Sequence, residues 1–163
     1  MEKGFKLPIS ELLTPHAEYT RDFTLPWWKA IISDPAFTRI TIRSELHGTN
    51  ARHSLFSRAL WTADTIRGCL AFYTKSIMDQ AGSPGFGKIL TAKDFGETRI
   101  LLSLRTGING TAGVLHGGLI GFLLDEVTGV PVYVQAEGYF VTGEMKIRYL
   151  KPVTTPGVIL CRS

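Results

Sequence analysis

His116-Gly117-Gly118, followed nine residues after the histidine by Asp125, is the part of the chain whose residue types suggest chemistry. Two glycines at a loop-to-helix junction let another group approach the backbone closely. The first amides of a helix have no internal partner, and the helix dipole adds positive character there. Such an end can hold a developing oxyanion. The purely structural alternative is a glycine cap that eases a turn. At about 100° per residue, Leu119, Ile120, Leu123, Leu124, Val127 and Val130 form one broad apolar face. Asp125 falls on the other side, among Gly118, Gly121, Thr128 and Gly129. A carboxylate among small residues has room for a substrate beside it, so Asp125 is the expected chemical acid. Glu126 falls at the border of the apolar face, near Phe122 and Leu119, and is expected to make a structural hydrogen bond or ion pair.

His116 and Asp125 cannot meet on one helix. Nine residues span about 13 Å and about half a turn. If the amides near Gly117 and the carboxylate of Asp125 act on one substrate, they come from two helices. A symmetric dimer with antiparallel helices would supply both, giving two equivalent interface sites.

The elements that must position this segment follow from periodicity and punctuation. Pro8, Pro15, Pro26 and Pro35 mark residues 1–60 as a lead-in with short helices. Pro26 opens one of them, Trp27 to Ser33, and Trp27 and Trp28 are expected to pack the lead-in onto the body. Ile66 to Tyr73 reads as a strand, and the glycine-rich 81–87 stretch as a loop. Arg99 to Leu104 reads as a second strand, with Ile100, Leu102 and Leu104 on one face. Thr106 to Gly113 reads as a turn, followed by a helix from His116 to Val130 that Pro131 stops. Val141 to Leu150 is the clearest alternating strand, and Gly157 to Cys161 begins another. The chain stops two residues after Cys161, inside that apolar strand. The expectation is a sheet completed by another chain, or a shortened version of a longer protein.

Composition narrows the class. The 163 residues, 44% hydrophobic and 20% charged, suit one soluble globular domain with a real core. The net charge of +4 is scattered and forms no basic stripe, so nucleic acid is not an expected partner. The excess suits a solvated surface, or an anionic substrate such as a coenzyme A ester. Cys69 and Cys161 stand in apolar runs without metal-ligand spacing and read as small buried thiols. No signal peptide is read at Met1–Ser10. His116, Asp125 and Glu126 interrupt the most apolar stretch and argue against a membrane span. A cytoplasmic location is the default expectation.

With these residues in view, the chain resembles the hotdog-fold acyl-coenzyme A thioesterases of the phenylacetate-pathway type, and in particular their fungal branch. The resemblance rests on Asn109 to Gly118, on the Asp125-Glu126 pair, on Tyr149 to Gly157, and on Ser54-Leu55-Phe56 and Asp64 to Arg67. It implies an α+β hotdog fold, a curved antiparallel sheet wrapped around a central helix. The division would be 1–60 as lead-in and 61–163 as hotdog thioesterase domain. It also implies about two further strands after the one at Gly157, absent from this sequence, so the sheet would be incomplete.

The resemblance further implies roles. Gly117 would donate its amide to the thioester carbonyl, with Gly118 beside it at the substrate. His116 would shape the turn and hydrogen-bond near the carbonyl. Asp125 of the partner chain would attack the carbonyl or activate a water. Asn109 resembles the amide residue that positions thioester or water, although its spacing to His116 is one residue longer than in some relatives. Thr142 matches a position that orients water. Lys146, Arg148 and Lys151 read as a solvated strand face, with coenzyme A phosphates as the alternative. Thr111 stands where fungal relatives often carry a histidine.

The expected activity is hydrolysis of an acyl thioester, on coenzyme A or on a carrier protein, by a homodimer or dimer of dimers without metal or redox cofactor. Release of a polyketide or fatty acyl product in secondary metabolism is the biosynthetic role that the resemblance suggests. The rivals are a non-hydrolytic acyl-binding or accessory hotdog protein and a hotdog hydratase. The hydratase pattern, an Asp and a His close together after the strand-helix turn, is not present.

Overall fold

A computed structural model describes residues 22–40, 54–74, 96–135 and 140–163. The loop expected at 81–87 lies outside these residues. Helix α1 spans Pro26–Ile32, and Pro26 at its start suits the fixed proline φ. Strand β1 (Thr38–Ile40) follows, then a π-helical turn at Leu55–Leu60, β2 (Ile66–Tyr73) and β3 (Thr98–Leu104). A 3-10 turn (Thr106–Ile108) leads into a short hairpin of β4 (Asn109–Thr111) and β5 (Val114–Leu115). Gly113 turns this hairpin with φ 74°. Helix α2 (Gly117–Gln135) and β6 (Gly157–Arg162) complete the order.

The four longer-range strands form one sheet in the order β1-β2-β3-β6, antiparallel throughout. Thus β1, from the lead-in, is hydrogen-bonded into the sheet, with Ile40 opposite Ala71. Period-2 alternation sends side chains to two faces. Cys69, Ala71, Tyr73, Ile100, Leu102 and Leu104 pack with Leu123, Val127 and Val130 of α2. Leu70, Phe72 and Leu101 form the opposite face and pack with Phe23 and Trp28 of the lead-in. The sheet therefore has a layer on each side, which explains why β2 and β3 are apolar on both faces rather than alternating cleanly.

Trp28 is buried, but Trp27 is 43% exposed and only lays its edge against Trp28 at 5.3 Å between ring centroids. One tryptophan, not both, anchors the lead-in. Polar contacts pin the same segment at its two ends. Asp22 accepts a 2.6 Å hydrogen bond from the Ser103 hydroxyl and pairs with Arg67 at 3.2 Å. Asp34 pairs with Arg99 at 3.0 Å, and the Arg99 guanidinium lies 3.6 Å from the Phe37 ring centroid.

Two elements depart from the sequence pattern. Pro131 does not stop α2; it lies inside the helix, which continues to Gln135. Proline removes the N–H that would bond the carbonyl four residues earlier, here Val127. The Ser163 hydroxyl donates to that Val127 carbonyl at 3.1 Å and fills the gap. The second departure is Val141 to Leu150, which forms no strand among the described residues. Val141 is 94% and Leu150 80% exposed. Alternation describes side chains suited to a pleated surface, but a strand also needs a neighbouring backbone to bond. The sheet neighbours that are present pair with each other, and this segment lies against α2 instead.

An antiparallel sheet with a central helix packed on one face is the α+β hotdog arrangement expected.

Candidate active site

The glycine pair sits where the hairpin hands the chain to the helix. His116 N–H donates to the Ile108 carbonyl at 3.0 Å, and Leu115 N–H to the Val153 carbonyl at 2.9 Å. The His116 carbonyl accepts the amides of Leu119 at 2.9 Å and Ile120 at 3.1 Å. His116 thus closes the hairpin and opens α2. Its side chain caps the helix as well: Nδ1 accepts the Gly118 N–H at 3.0 Å. A nitrogen that accepts carries no proton, so in the neutral ring the proton sits on Nε2. The Gly117 N–H, at the first helical position, has no intrahelical acceptor and bonds to no other described residue.

The imidazole lies between two glycines. A Cβ on Gly110 would stand 3.1 Å from His116 Cα and 3.2 Å from Cδ2. A Cβ on Gly118 would stand 3.1 Å from Nδ1. Close packing against His116, rather than turn geometry, therefore favours glycine at position 110. Asn109 begins β4, directly opposite Leu115, and its Oδ1 accepts from the Thr155 hydroxyl. With Oδ1 engaged, Asn109 has its Nδ2 protons to offer.

Asp125 lies one side of α2 away from the buried Leu123 and Val127, as the helical pattern requires. The Thr142 hydroxyl donates to its Oδ1 at 2.5 Å. Oδ2 remains as the acceptor that can take a proton. The rest of the segment continues along the same helix. Ile147 Cδ1 would be 3.1 Å from a Cβ on Gly121. The Tyr149 hydroxyl donates to the Gly117 carbonyl at 3.1 Å. The small residues of α2 therefore form the track on which 142–149 rests.

Thr142 and Asp125 are brought together, as are His116, Gly117 and Gly118. Gly117 and Asp125 are not: eight residues along one helix separate them by about 12 Å. Lys146, Arg148 and Lys151 are exposed and touch none of these groups among the described contacts. The pattern reading missed Gly110, Tyr149 and Thr155. Tyr149 carried a usable signal, since alternation places it on the same face as Ile147.

The family model described as the thioesterase superfamily matches residues 112–163, from the hairpin turn to the end of the chain. The described residues have the α+β hotdog fold. The match takes in His116, Gly117, Gly118, Asp125 and Thr142, and supports the superfamily. Verlamelin biosynthesis protein B of Lecanicillium sp. is similar to this chain, 26% identical over 139 residues that cover 69% of this chain and 58% of that protein. The chain thus spans a little over half the length of this curated relative. No solved structure gives a significant match. No described helix is long and apolar enough to cross a membrane.

Proposed function

We propose that the chain hydrolyses acyl thioesters, with coenzyme A or a carrier-bound pantetheine as the leaving thiol. The observation that carries this reading is the division of labour on α2. One unengaged amide, Gly117, stands at the positive end of the helix, and one carboxylate, Asp125, is oriented by the Thr142 hydroxyl further along. The superfamily match over the same residues supports it.

The chemistry balances without a cofactor. Asp125 Oδ2 takes a proton from water as the water oxygen bonds to the thioester carbon. The carbonyl electron pair moves to oxygen, where the Gly117 amide stabilises it. Collapse re-forms the carbonyl, breaks the carbon–sulfur bond and releases the thiolate, which takes the proton. Direct attack by Asp125, through an anhydride, is the covalent variant. Asn109 Nδ2 is the group that would orient water or carbonyl.

Because about 12 Å of helix separates Gly117 from Asp125, the reading needs Gly117 of one chain to face Asp125 of another across a symmetric interface. A homodimer, or a dimer of dimers, is therefore part of the proposal. The name of the Lecanicillium relative places that protein in a biosynthetic pathway, which makes release of a biosynthetic acyl chain the preferred setting, in the phenylacetate-type fungal branch.

The second reading is a non-hydrolytic acyl-binding protein. It is favoured by the segment 142–149 resting on the small-residue face that an acyl chain would otherwise use. Free-thiol release from acyl-coenzyme A esters of graded length, with sizing of the protein in parallel, tests both. Turnover by a dimer that is lost in Asp125→Asn supports hydrolysis. A folded dimer that binds the esters without releasing thiol supports the second reading.

A further inference from the structure

Helix α2 begins with two glycines, and the proposed oxyanion donor is the amide of the first. The Gly117 N–H belongs to the His116–Gly117 peptide, whose carbonyl already accepts the amides of Leu119 and Ile120 within the helix; the next peptide is the one that side chains reach. The peptide unit joining Gly117 to Gly118 is held at both of its polar atoms by side chains. The Gly118 N–H donates to His116 Nδ1 at 3.0 Å, and the Gly117 carbonyl accepts from the Tyr149 hydroxyl at 3.1 Å. The Tyr149 ring also closes over Gly117, with Cε1 3.8 Å and Cζ 3.9 Å from where its Cβ would be. No other described side chain donates to that carbonyl.

We infer that Tyr149 is a positioning residue of the thioesterase site, acting through the Gly117–Gly118 peptide to hold the His116 imidazole and to keep its proton on Nε2. The hydroxyl, the peptide and the imidazole form a chain, O–H to C=O, then N–H to Nδ1. Hydrogen bonds in such a chain polarise one another. A Tyr149 hydroxyl drawing on the Gly117 carbonyl makes the Gly118 N–H a stronger donor to Nδ1. Nδ1 then stays an acceptor, and Nε2–H is the donor that the ring has left to offer. The kinetic part of this inference rests on the thioester-hydrolase reading; the orientation of the imidazole does not.

The test is Tyr149→Phe, which keeps the ring and removes only the donor. Leu150→Ala serves as control on the same segment, since Leu150 is 80% exposed and has no part in the site. Nitrogen NMR of the His116 imidazole, assigned with a His116→Asn variant, reads the tautomer without any substrate. Wild type and Leu150→Ala should show Nδ1 unprotonated, and Tyr149→Phe a mixture of both tautomers. Tyr149 is 56% exposed in the single chain, so water competes for the bond. We expect kcat to fall only about five- to tenfold, with KM within about twofold. A Tyr149→Phe protein with a single unchanged tautomer overturns the inference, as does a Leu150→Ala protein that shows the same mixture. Wild-type protein that releases no thiol counts against the hydrolase reading alone, and the NMR comparison still decides the role of Tyr149.

Discussion

The Thr142 hydroxyl donates to Asp125 Oδ1 at 2.5 Å, so the one acid on the small-residue face of α2 meets a hydroxyl from a segment seventeen residues further along the chain. That contact fixes one carboxylate oxygen and leaves the other for chemistry. Asp125→Asn should lower turnover by at least about a hundredfold, the range for a lost general base. Thr142→Val should lower it by about tenfold, one hydrogen bond to a charged group. Both proteins should melt within a few degrees of wild type. Steady-state thiol release with a melting curve for each variant checks this. Unchanged turnover in Asp125→Asn would remove the proposed mechanism.

A side chain at Gly110 should crowd His116. Its Cβ would stand 3.1 Å from the His116 backbone, which cannot swing away as a flexible side chain can. Gly110→Ala should destabilise the fold by about 1–3 kcal/mol, as overpacking does, and should lower kcat by moving the imidazole. Denaturant titration and kinetics on the same preparation test it. An alanine variant with wild-type stability and turnover would show that the hairpin yields without disturbing His116.

Trp28 is the anchor of the lead-in on the outer sheet face, packed with Leu70, Phe72 and Leu101. Its buried Nε1 has no hydrogen-bond partner among the described residues. Trp28→Ala should cost about 3–5 kcal/mol. Trp28→Phe should cost much less, because no hydrogen bond is lost with the indole nitrogen. Equilibrium unfolding of the two variants distinguishes packing from polar anchoring.

Glu97 accepts from Arg162 at 2.7 Å and from Arg99 at 2.8 Å. The Arg162 bond, reinforced by Arg99, holds its carboxyl below the usual value despite an opposing contribution from burial. A depressed folded-state pKa stabilises above the unfolded pKa, near 4.5, and the effect is lost as the pH falls through the folded value. Glu97→Gln should therefore be less stable than wild type at pH 7, by no more than about 1 kcal/mol for so exposed a pair. The two proteins should converge in acid. Urea midpoints from pH 7 down to pH 3 check the convergence.

Burial pushes the Cys161 thiol up to about 11. The thiolate is the reactive form, so Cys161 should resist thiol reagents at pH 8 until the chain unfolds. Stopped-flow labelling in and out of denaturant measures this. Fast labelling in native buffer would show that β6 opens readily.

Much of this protein is legible along the chain. Strand β2 falls at Ile66–Tyr73 as its apolar run and flanking polar residues require, and β3 begins one residue before the expected Arg99. The apolar stripe of α2 and the separation of Asp125 from it follow from a 100° helical repeat alone. These are local properties, decided by neighbours within a turn or a pleat. The hairpin ahead of His116, the passage of α2 through Pro131 and the position of 141–150 were not local. Pro131 is tolerated because Ser163, thirty-two residues further on, satisfies the Val127 carbonyl. Val141 to Leu150 has a strand's alternation, but among the described residues no backbone lies beside it to complete a ladder. Likewise the residue types at Gly117 and Asp125 were determined by the sequence. That Tyr149 meets the first and Thr142 the second was decided only by the tertiary structure, since such contacts join residues far apart in the chain and depend on how a whole segment lies across the helix.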